Sequence, residues 1–361
     1  MSRFAREMSV VFWEEPKDIE PRETAFLKVR QAEDFSNVRV VTPHLPKGLD
    51  EAGRNEALQR LLDAHVAVYA GPLISWYYTP MMLPFSRHLD ASVVVYDCMD
   101  ELSKFRFAPE KLLDLEQELI DRADLVFTGG SSLYEAKKGR HNSVHCFPSS
   151  VDRAHFTKAR RELEQPFDQA ELGHPRLGFY GVIDERFDID LLREAADMRP
   201  DWTFVMVGPV VKIGEDELPR AANIHYLGGK TYEQLPAYLS GWDVALMPFA
   251  MNESTQFISP TKTPEYLAGG KPVVSTPVRD VVRSYGHLQG VHIAHDADGF
   301  VRCCEKALEQ SRRGGDWLAE ADLLLSATSW DTVQARMSGL IAEVLGERTG
   351  EEAPALLVAA E

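Results

Sequence analysis

Cysteine is scarce in this chain. Four stand in 361 residues, and Cys98, Cys146, Cys303 and Cys304 show no Cys-x-x-Cys spacing. That excludes a disulfide framework and fits a reducing cytoplasm, with the adjacent Cys303 and Cys304 expected to pack within a helix. No run of about twenty apolar residues is present, so the sequence contains no membrane-spanning pattern. A secretory h-region is missing too, and any membrane contact is expected to be peripheral, at the inner face of the plasma membrane. Positive charge is also in short supply: 39 Lys and Arg against 56 Asp and Glu give a net charge of −17. A general nucleic-acid binder needs a basic surface for phosphate contacts, so that class is excluded, although a local basic pocket is not. No internal repeat is visible. No Gly-x-Gly-x-x-Gly follows any strand-like run, which argues against an NAD-dependent dehydrogenase.

What is present is a long α/β pattern. A chain of 361 residues, 44% of them hydrophobic, exceeds the size at which a single core usually divides. Short apolar runs at 9–13, 38–42, 67–69, 92–96, 125–128 and 144–147 alternate with amphipathic stretches such as 55–64 and 109–122, the signature of parallel α/β layers. The polar segment from Lys158 to His174 lacks apolar periodicity, and strands are expected again at 176–180, 203–207, 224–226, 244–247, 273–275 and 291–293. The fold class is therefore α/β with two Rossmann-like domains: 1–158, a linker 159–174, and 175–328. The two domains are expected to face a cleft, and a helix over 329–346 that crosses back to the first domain and a disordered tail over 347–361 complete the expected order.

The most informative segment runs from Ser259 to Thr276. Thr261 is placed to cap a helix, Pro264 is tolerated in its first turn, Gly269 and Gly270 end it, and an apolar β-branched strand follows. Free N–H groups at such a helix start attract an anion, Lys262 adds a positive charge, and Glu265 offers acceptors to hydroxyls one turn further in. Phosphate with vicinal hydroxyls points to a nucleotide. Ser259, Thr261, Lys262 and Glu265 are the candidates, unless Glu265 is a solvated helix residue.

The spacing of Pro260, Lys262, Glu265, Tyr266, Leu267, Ala268, Gly270, Pro272, Val273 and Val274 resembles the donor-binding motif of GT-B glycosyltransferases, especially the retaining family 4 type. The resemblance implies that Glu265 binds the donor ribose and that the preceding loop holds the diphosphate. Ligands of open α/β sheets bind beyond the carboxyl ends of the strands. There, Gly181 to Arg186, Gly208 with Pro209, Leu227 to Tyr232 including Gly228, and Pro248 to Glu253 resemble the same family in the same order. Gly181, Gly208, Gly228 and Tyr232 join the donor candidates. The resemblance covers roughly 91–330 and departs from the family at two positions. Phe257 replaces a frequent second glutamate, leaving that contact missing or supplied from elsewhere, such as Glu253. Val182 replaces the first of two basic groups that would neutralise the leaving diphosphate. Arg186 and Lys262 are expected to share that role, unless Arg186 pairs with Asp184 or Asp188.

In the first half, Asp97, Asp100 and Glu101 follow a strand within one turn, and mutual repulsion is expected to raise a pKa toward the acid/base range. The resemblance places a His or Asp at this strand end near the sugar, making Asp97 the catalytic candidate and Asp100 the second, with helix capping open for Asp100. Trp76 and Tyr77 either stack on an acceptor or pack inside. No further His or acid stands at ligand spacing, so no metal or cofactor is expected. Residues 1–8 read as the end of a helix running into the strand at Ser9, where comparable chains carry an earlier strand, so the start is expected to be internal or truncated. The resemblance implies a hexosyltransferase working from a UDP- or GDP-sugar onto a glycan or lipid-linked acceptor, with retention, in cell-surface polysaccharide synthesis. The alternative is a sugar-nucleotide epimerase or a catalytically silent nucleotide-sugar binder.

Overall fold

The structure, a computed structural model, describes residues 1–32, 35–161, 163–349 and 355–360. Contacts divide the chain into two compact units: Met1–Ser103 with Phe107–Phe147 and Asp331–Glu361, and Lys104–Arg106 with Pro148–Trp330. Among the described residues no helix is long and apolar enough to cross a membrane.

In the first unit the strands are β1 (Ser9–Trp13), β2 (Lys17–Ile19), β3 (Phe26–Ala32), β4 (Phe35–Pro46), β5 (Leu73–Tyr77), β6 (Val93–Cys98), β7 (Leu125–Thr128) and β8 (Val144–Cys146). The inner runs β6 and β7 are apolar at nearly every position and buried on both faces, as a covered parallel sheet requires. The strand expected at 67–69 is not there. Ala67 closes the helix Glu51–Val66, whose start Asp50 caps by accepting from Gly53 N at 2.8 Å. The sheet resumes at β5, because Ile74 and Trp76 carry the side chains that the core buries. The β3–β4 pair, antiparallel and running along one edge, has no counterpart in the sequence reading.

The second unit holds β9 (Arg176–Tyr180), β10 (Thr203–Val207), β11 (Ile224–Gly228), β12 (Val244–Met247), β13 (Val273–Ser275) and β14 (Val291–Ile293). They form one parallel sheet in the order β11-β10-β9-β12-β13-β14. This is the doubly wound order, and it reverses between β9 and β12, where such sheets open a crevice for a ligand. A core including Phe179, Trp202, Phe204, Trp242, Leu246, Tyr266 and Phe300 fills both faces. The expected linker belongs to this packing. Residues Phe167–Ala170 form a helical turn in which buried Gln169 accepts from Trp242 Nε1 at 2.9 Å and donates to Tyr238 O at 3.0 Å.

The expected disordered tail is corrected as well. After the helix Trp330–Thr349, whose Met337 and Ile341 join the first unit's core with Phe4 and Trp76, a last strand β15 (Leu356–Ala360) pairs in parallel with both β1 and β5. The first sheet therefore runs β2-β4-β1-β15-β5-β6-β7-β8, with β3 on β4. Residues 355–359 are apolar and buried, so a run that looked like a tail beside acidic residues is suited to a strand covered on both faces. The fold class is the expected one: α/β, with two parallel-sheet units.

Candidate functional site

Three strand ends in the second unit build a ledge. Gly181 N donates to Val207 O at 2.9 Å, and Gly208 N donates to Gly228 O at 2.9 Å, so the glycines ending β9, β10 and β11 lie side by side. Gly181 and Gly208 have φ of +141° and +147°, in the region that side chains disfavour. A Cβ on Gly208 would stand 1.8 Å from Gly181 O, and one on Gly181 would stand 2.3 Å from Cε of Lys262. Backbone and the Lys262 side chain thus meet where any larger residue would separate them.

Lys262 opens the helix Lys262–Ala268, with its ammonium 5.7 Å from the Phe179 ring and 5.6 Å from the Phe249 ring. One turn along, Glu265 accepts from the Tyr180 hydroxyl at 2.7 Å. Tyr180 is fixed in turn, its backbone N–H donating to the Tyr266 hydroxyl at 3.0 Å. Burial pushes the Glu265 carboxyl up to about 7, against the Tyr180 hydrogen bond and the charge of Lys262, which both favour the ionised form. A half-buried carboxylate with its second oxygen uncommitted to Tyr180, beside a cation and a glycine ledge, can accept from hydroxyls next to an anion. Thr261 is exposed at the helix start, but its backbone is already helical (φ −68°, ψ −21°) and its side chain makes no cap bond. Capping needs an extended residue, so the expected cap is absent. Ser259 is half-buried just before it.

The loops after β9 and β12 are laced together across the switch point. Asp188 N donates to Pro248 O at 2.8 Å, Ala250 N to Arg186 O at 2.8 Å, and Asn252 Nδ2 to Glu185 O at 2.9 Å. Within this lacing Arg186 holds buried Asp184 through Nη2–Oδ2 at 2.6 Å and lies 5.4 Å over the Phe105 ring. Its charge is therefore largely answered by Asp184, one of the two partners considered from sequence, while Asp188 caps the next helix through Leu191 N at 2.9 Å. Glu253 is exposed and pairs with Lys104 at 3.3 Å, and Phe257 is half-buried. Tyr232, 46% exposed, stacks on His155 with ring centroids 4.3 Å apart, and its carbonyl lies 2.9 Å from His155 Nε2.

The first-unit candidates lie at the ends of β5 and β6. Asp97 ends β6 on the face of Trp76 and is buried. Burial pushes its carboxyl up to about 7, against Trp76 and the amino terminus, so desolvation and not repulsion by Asp100 and Glu101 causes the rise. Asp100 is half-buried in the turn, where its carbonyl accepts from the Cys98 thiol at 3.4 Å. Trp76, 2% exposed, packs edge-on against Phe4 and Phe127, and Tyr77 is buried with its hydroxyl 2.9 Å from Ser86 Oγ. Neither presents a stacking face, because the β5 side chains fill the core instead. Sequence reasoning missed Tyr180, although its place at a strand end pointed to it, and His155, which precedes the polar segment and carried no motif. Among the described residues no group of three or more His, Cys, Asp or Glu could hold a metal ion.

Comparison with known proteins places the ledge within a recognised segment. Residues 174–310 match the family described as Glycosyl transferases group 1. Over 260 residues the chain is 30% identical to TuaH of Bacillus subtilis, whose name assigns it to teichuronic acid biosynthesis as a glycosyltransferase. That match covers 65% of this chain and 64% of TuaH, so the chain spans less than two thirds of that relative's length. Among solved structures, sucrose-phosphate synthase from Thermosynechococcus elongatus aligns with a TM-score of 0.68 at 15% identity, over 93% of this chain and 89% of that one. HepE of Anabaena, solved in complex with UDP, aligns with a TM-score of 0.65 at 14% identity, over 93% and 100%. These likenesses establish a shared fold, the two-domain GT-B architecture.

Proposed function

We propose that the protein is a glycosyltransferase that takes a hexose from a nucleoside diphosphate sugar bound at the second unit's glycine ledge. The observation that carries this reading is Glu265, held by Tyr180 and set one helical turn from Lys262 above Gly181 and Gly208. Glu265 accepts from the ribose hydroxyls, and the glycines let the backbone come close to the diphosphate. Lys262 faces the charge that grows on the diphosphate as its bond to the anomeric carbon breaks, an effect on the order of several kcal/mol. Ser259 and Thr261 offer hydroxyls beside it, and Tyr232 with His155 offers an aromatic pair at the β11 end. The family match centred on this segment supports the reading, as does UDP in the structurally similar HepE.

We take the donor to be a UDP- or GDP-hexose, the acceptor a glycan or lipid-linked sugar met at the inner membrane face, and the outcome retention, in cell-surface polysaccharide synthesis as TuaH's name suggests. No metal enters this reading, so a chelator leaves turnover unchanged. Labelled UDP- and GDP-hexoses incubated with the protein test it, with the product's anomeric configuration read by NMR. A donor present at about a hundred times its Kd stabilises the fold by about 2.7 kcal/mol, a shift that Glu265→Ala abolishes. An undiminished shift in that variant refutes the assigned site. The pairing of Arg186 with Asp184, together with Val182, favours one second reading, a nucleotide-sugar binder or epimerase. Tight binding without hydrolysis or transfer, or interconversion of the sugar, selects it.

A further inference from the structure

The helix Lys262–Ala268, which carries both Lys262 and Glu265, is seven residues long, and its two ends are held differently. At its start the cap bond that Thr261 could make is missing. At its end the last four carbonyls, which a helix leaves without internal partners, are all answered. Glu265 O accepts from Gly269 N at 2.9 Å, Tyr266 O from Lys271 N at 3.0 Å, and Leu267 O from Gly270 N at 2.9 Å. Ala268 O accepts from Nε of Arg160 at 2.7 Å, and Nη2 of the same guanidinium lies 3.3 Å from Leu267 O. Arg160 comes from the polar segment, 108 residues earlier in the chain. Its fork also engages Asp322 on the helix Trp317–Ser326, with Nη1 to Oδ2 at 2.8 Å and Nη2 to Oδ1 at 2.6 Å. Arg153 approaches the same carboxylate at 4.0 Å.

We propose that Arg160 is a positioning residue for the donor: its fork between Ala268 and Asp322 seats the helix, and through it sets the place of Glu265 and Lys262. A helix this short is marginal on its own, so its position comes from what it is tied to. Tyr266 and Leu267 pack it on the core, and Arg160 holds its carbonyl end. A guanidinium that meets both oxygens of a carboxylate is directional as well as strong, and a cation at this end suits the helix dipole. Glu265 and Ala268 stand three residues apart, within one turn, so a tilt or slide at the carbonyl end reaches the carboxyl that meets the ribose. The inference rests on the proposed function in taking this helix to be the donor's.

Two readings of the full chain test it. Titration of the isotope-labelled Glu265 carboxyl, followed by NMR, needs no donor, and calorimetry with UDP-glucose and GDP-mannose measures donor affinity. In Arg160→Ala the carboxyl, held up at about 7 by burial beside Tyr180, Tyr266 and Lys262, is expected to fall by about one pH unit or more as water reaches it. Donor affinity is expected to fall roughly tenfold or more. Arg160→Lys, which keeps the charge, is expected to recover most of both. Arg199→Ala is the comparison: that guanidinium forks onto Asp201 and lies 3.8 Å from the Trp202 ring, ahead of β10, and its loss is expected to leave both readings alone. Asp322→Asn is expected to move both in the same direction by less, and it carries the test should Arg160→Ala not fold. Either reading unmoved in Arg160→Ala, or moved as far in Arg199→Ala, overturns the proposal. If neither nucleotide sugar binds the parent, the proposed function falls and the titration alone decides whether Arg160 seats the helix. If donors bind and Arg160→Ala changes neither reading, the inference falls and the proposed function stands.

Discussion

The two sheets are assembled from the chain in opposite ways. In the second unit six consecutive strands, from β9 to β14, wind outward from one switch point. In the first, β15, the last strand of the chain, sits between β1 and β5. The polar groups differ in kind as well. The second unit sets Lys262 and Glu265 on a ledge at the carboxyl ends of its strands, whereas the first buries an ion cluster. There Lys137, 2% exposed, contacts Glu101 and Glu116 at 2.7 Å each, and Glu116 also binds Arg140 and the Tyr96 hydroxyl. One unit is local in sequence and polar at its rim. The other is closed by distant residues and joins buried charges in one cluster around Lys137 and Glu116.

The sharpest way to break this contrast is to remove residues 350–361. Leu356, Leu357 and Val358 are buried, and at about 1.5–3 kcal/mol each their loss removes on the order of 5 kcal/mol or more, comparable to a whole domain's stability. Hydrogen exchange should show β1 and β5 deprotected while β9 and β12 keep their protection. Equal protection in both sheets would mean that β15 does not hold the first one together. Next in size is Lys137→Met. It leaves Glu116 and Glu101 buried without their lysine, a loss of about 3–5 kcal/mol confined to the first unit. Replacing Lys137 and Glu116 together by Met and Leu should restore part of that loss, because an apolar pair strands less charge.

The same contrast explains what was legible. Every strand of the second sheet was anticipated within two residues, because each apolar run is bounded by turn residues and the four inner ones, β9, β10, β12 and β13, are buried on both faces. The first sheet was harder. Its β5 was displaced by the apolar exit of the preceding helix at Ala67, its β3 lies on a partly exposed edge, and the burial of β15 depends on strands more than 270 residues away in sequence, as the pairing of Leu356 with Leu73 shows. At the site, Glu265 and Lys262 could be read from spacing. The hydroxyl of Tyr180 on Glu265 could not, since it is a contact between residues 85 apart.

Two carboxyls allow the units to be compared under one variable. Asp97 in the first and Glu265 in the second are each pushed up to about 7 by burial, from ordinary values of 3.8 and 4.5. A raised acid keeps its proton in the folded state where the unfolded chain has released it. The stability tied to that proton is full below about pH 4 and lost as pH rises through about 7, on the order of 3–4 kcal/mol for each group. Asp97→Asn and Glu265→Gln should each flatten the pH dependence of protection in their own unit alone. The groups should part company when a donor is added. Ribose hydroxyls favour ionised Glu265, so donor affinity should climb as pH passes 7 in the parent and in Asp97→Asn, but not in Glu265→Gln. A flat profile in the parent would remove Glu265 from the ribose.

The smallest expected effect separates a helix start that serves the fold from one that serves the site. Asp296, extended at φ −151° and ψ 173°, caps the helix Ala297–Arg313 by accepting from Gly299 N at 2.7 Å. Thr261, helical and without a cap bond, stands at the start of Lys262–Ala268. Asp296→Ala should therefore lower stability by about 1 kcal/mol, and Thr261→Ala by no more than about a few tenths. Donor affinity should reverse the order, falling in Thr261→Ala and holding in Asp296→Ala. If Thr261→Ala changes neither quantity, the diphosphate does not meet this hydroxyl and Lys262 faces it without that help.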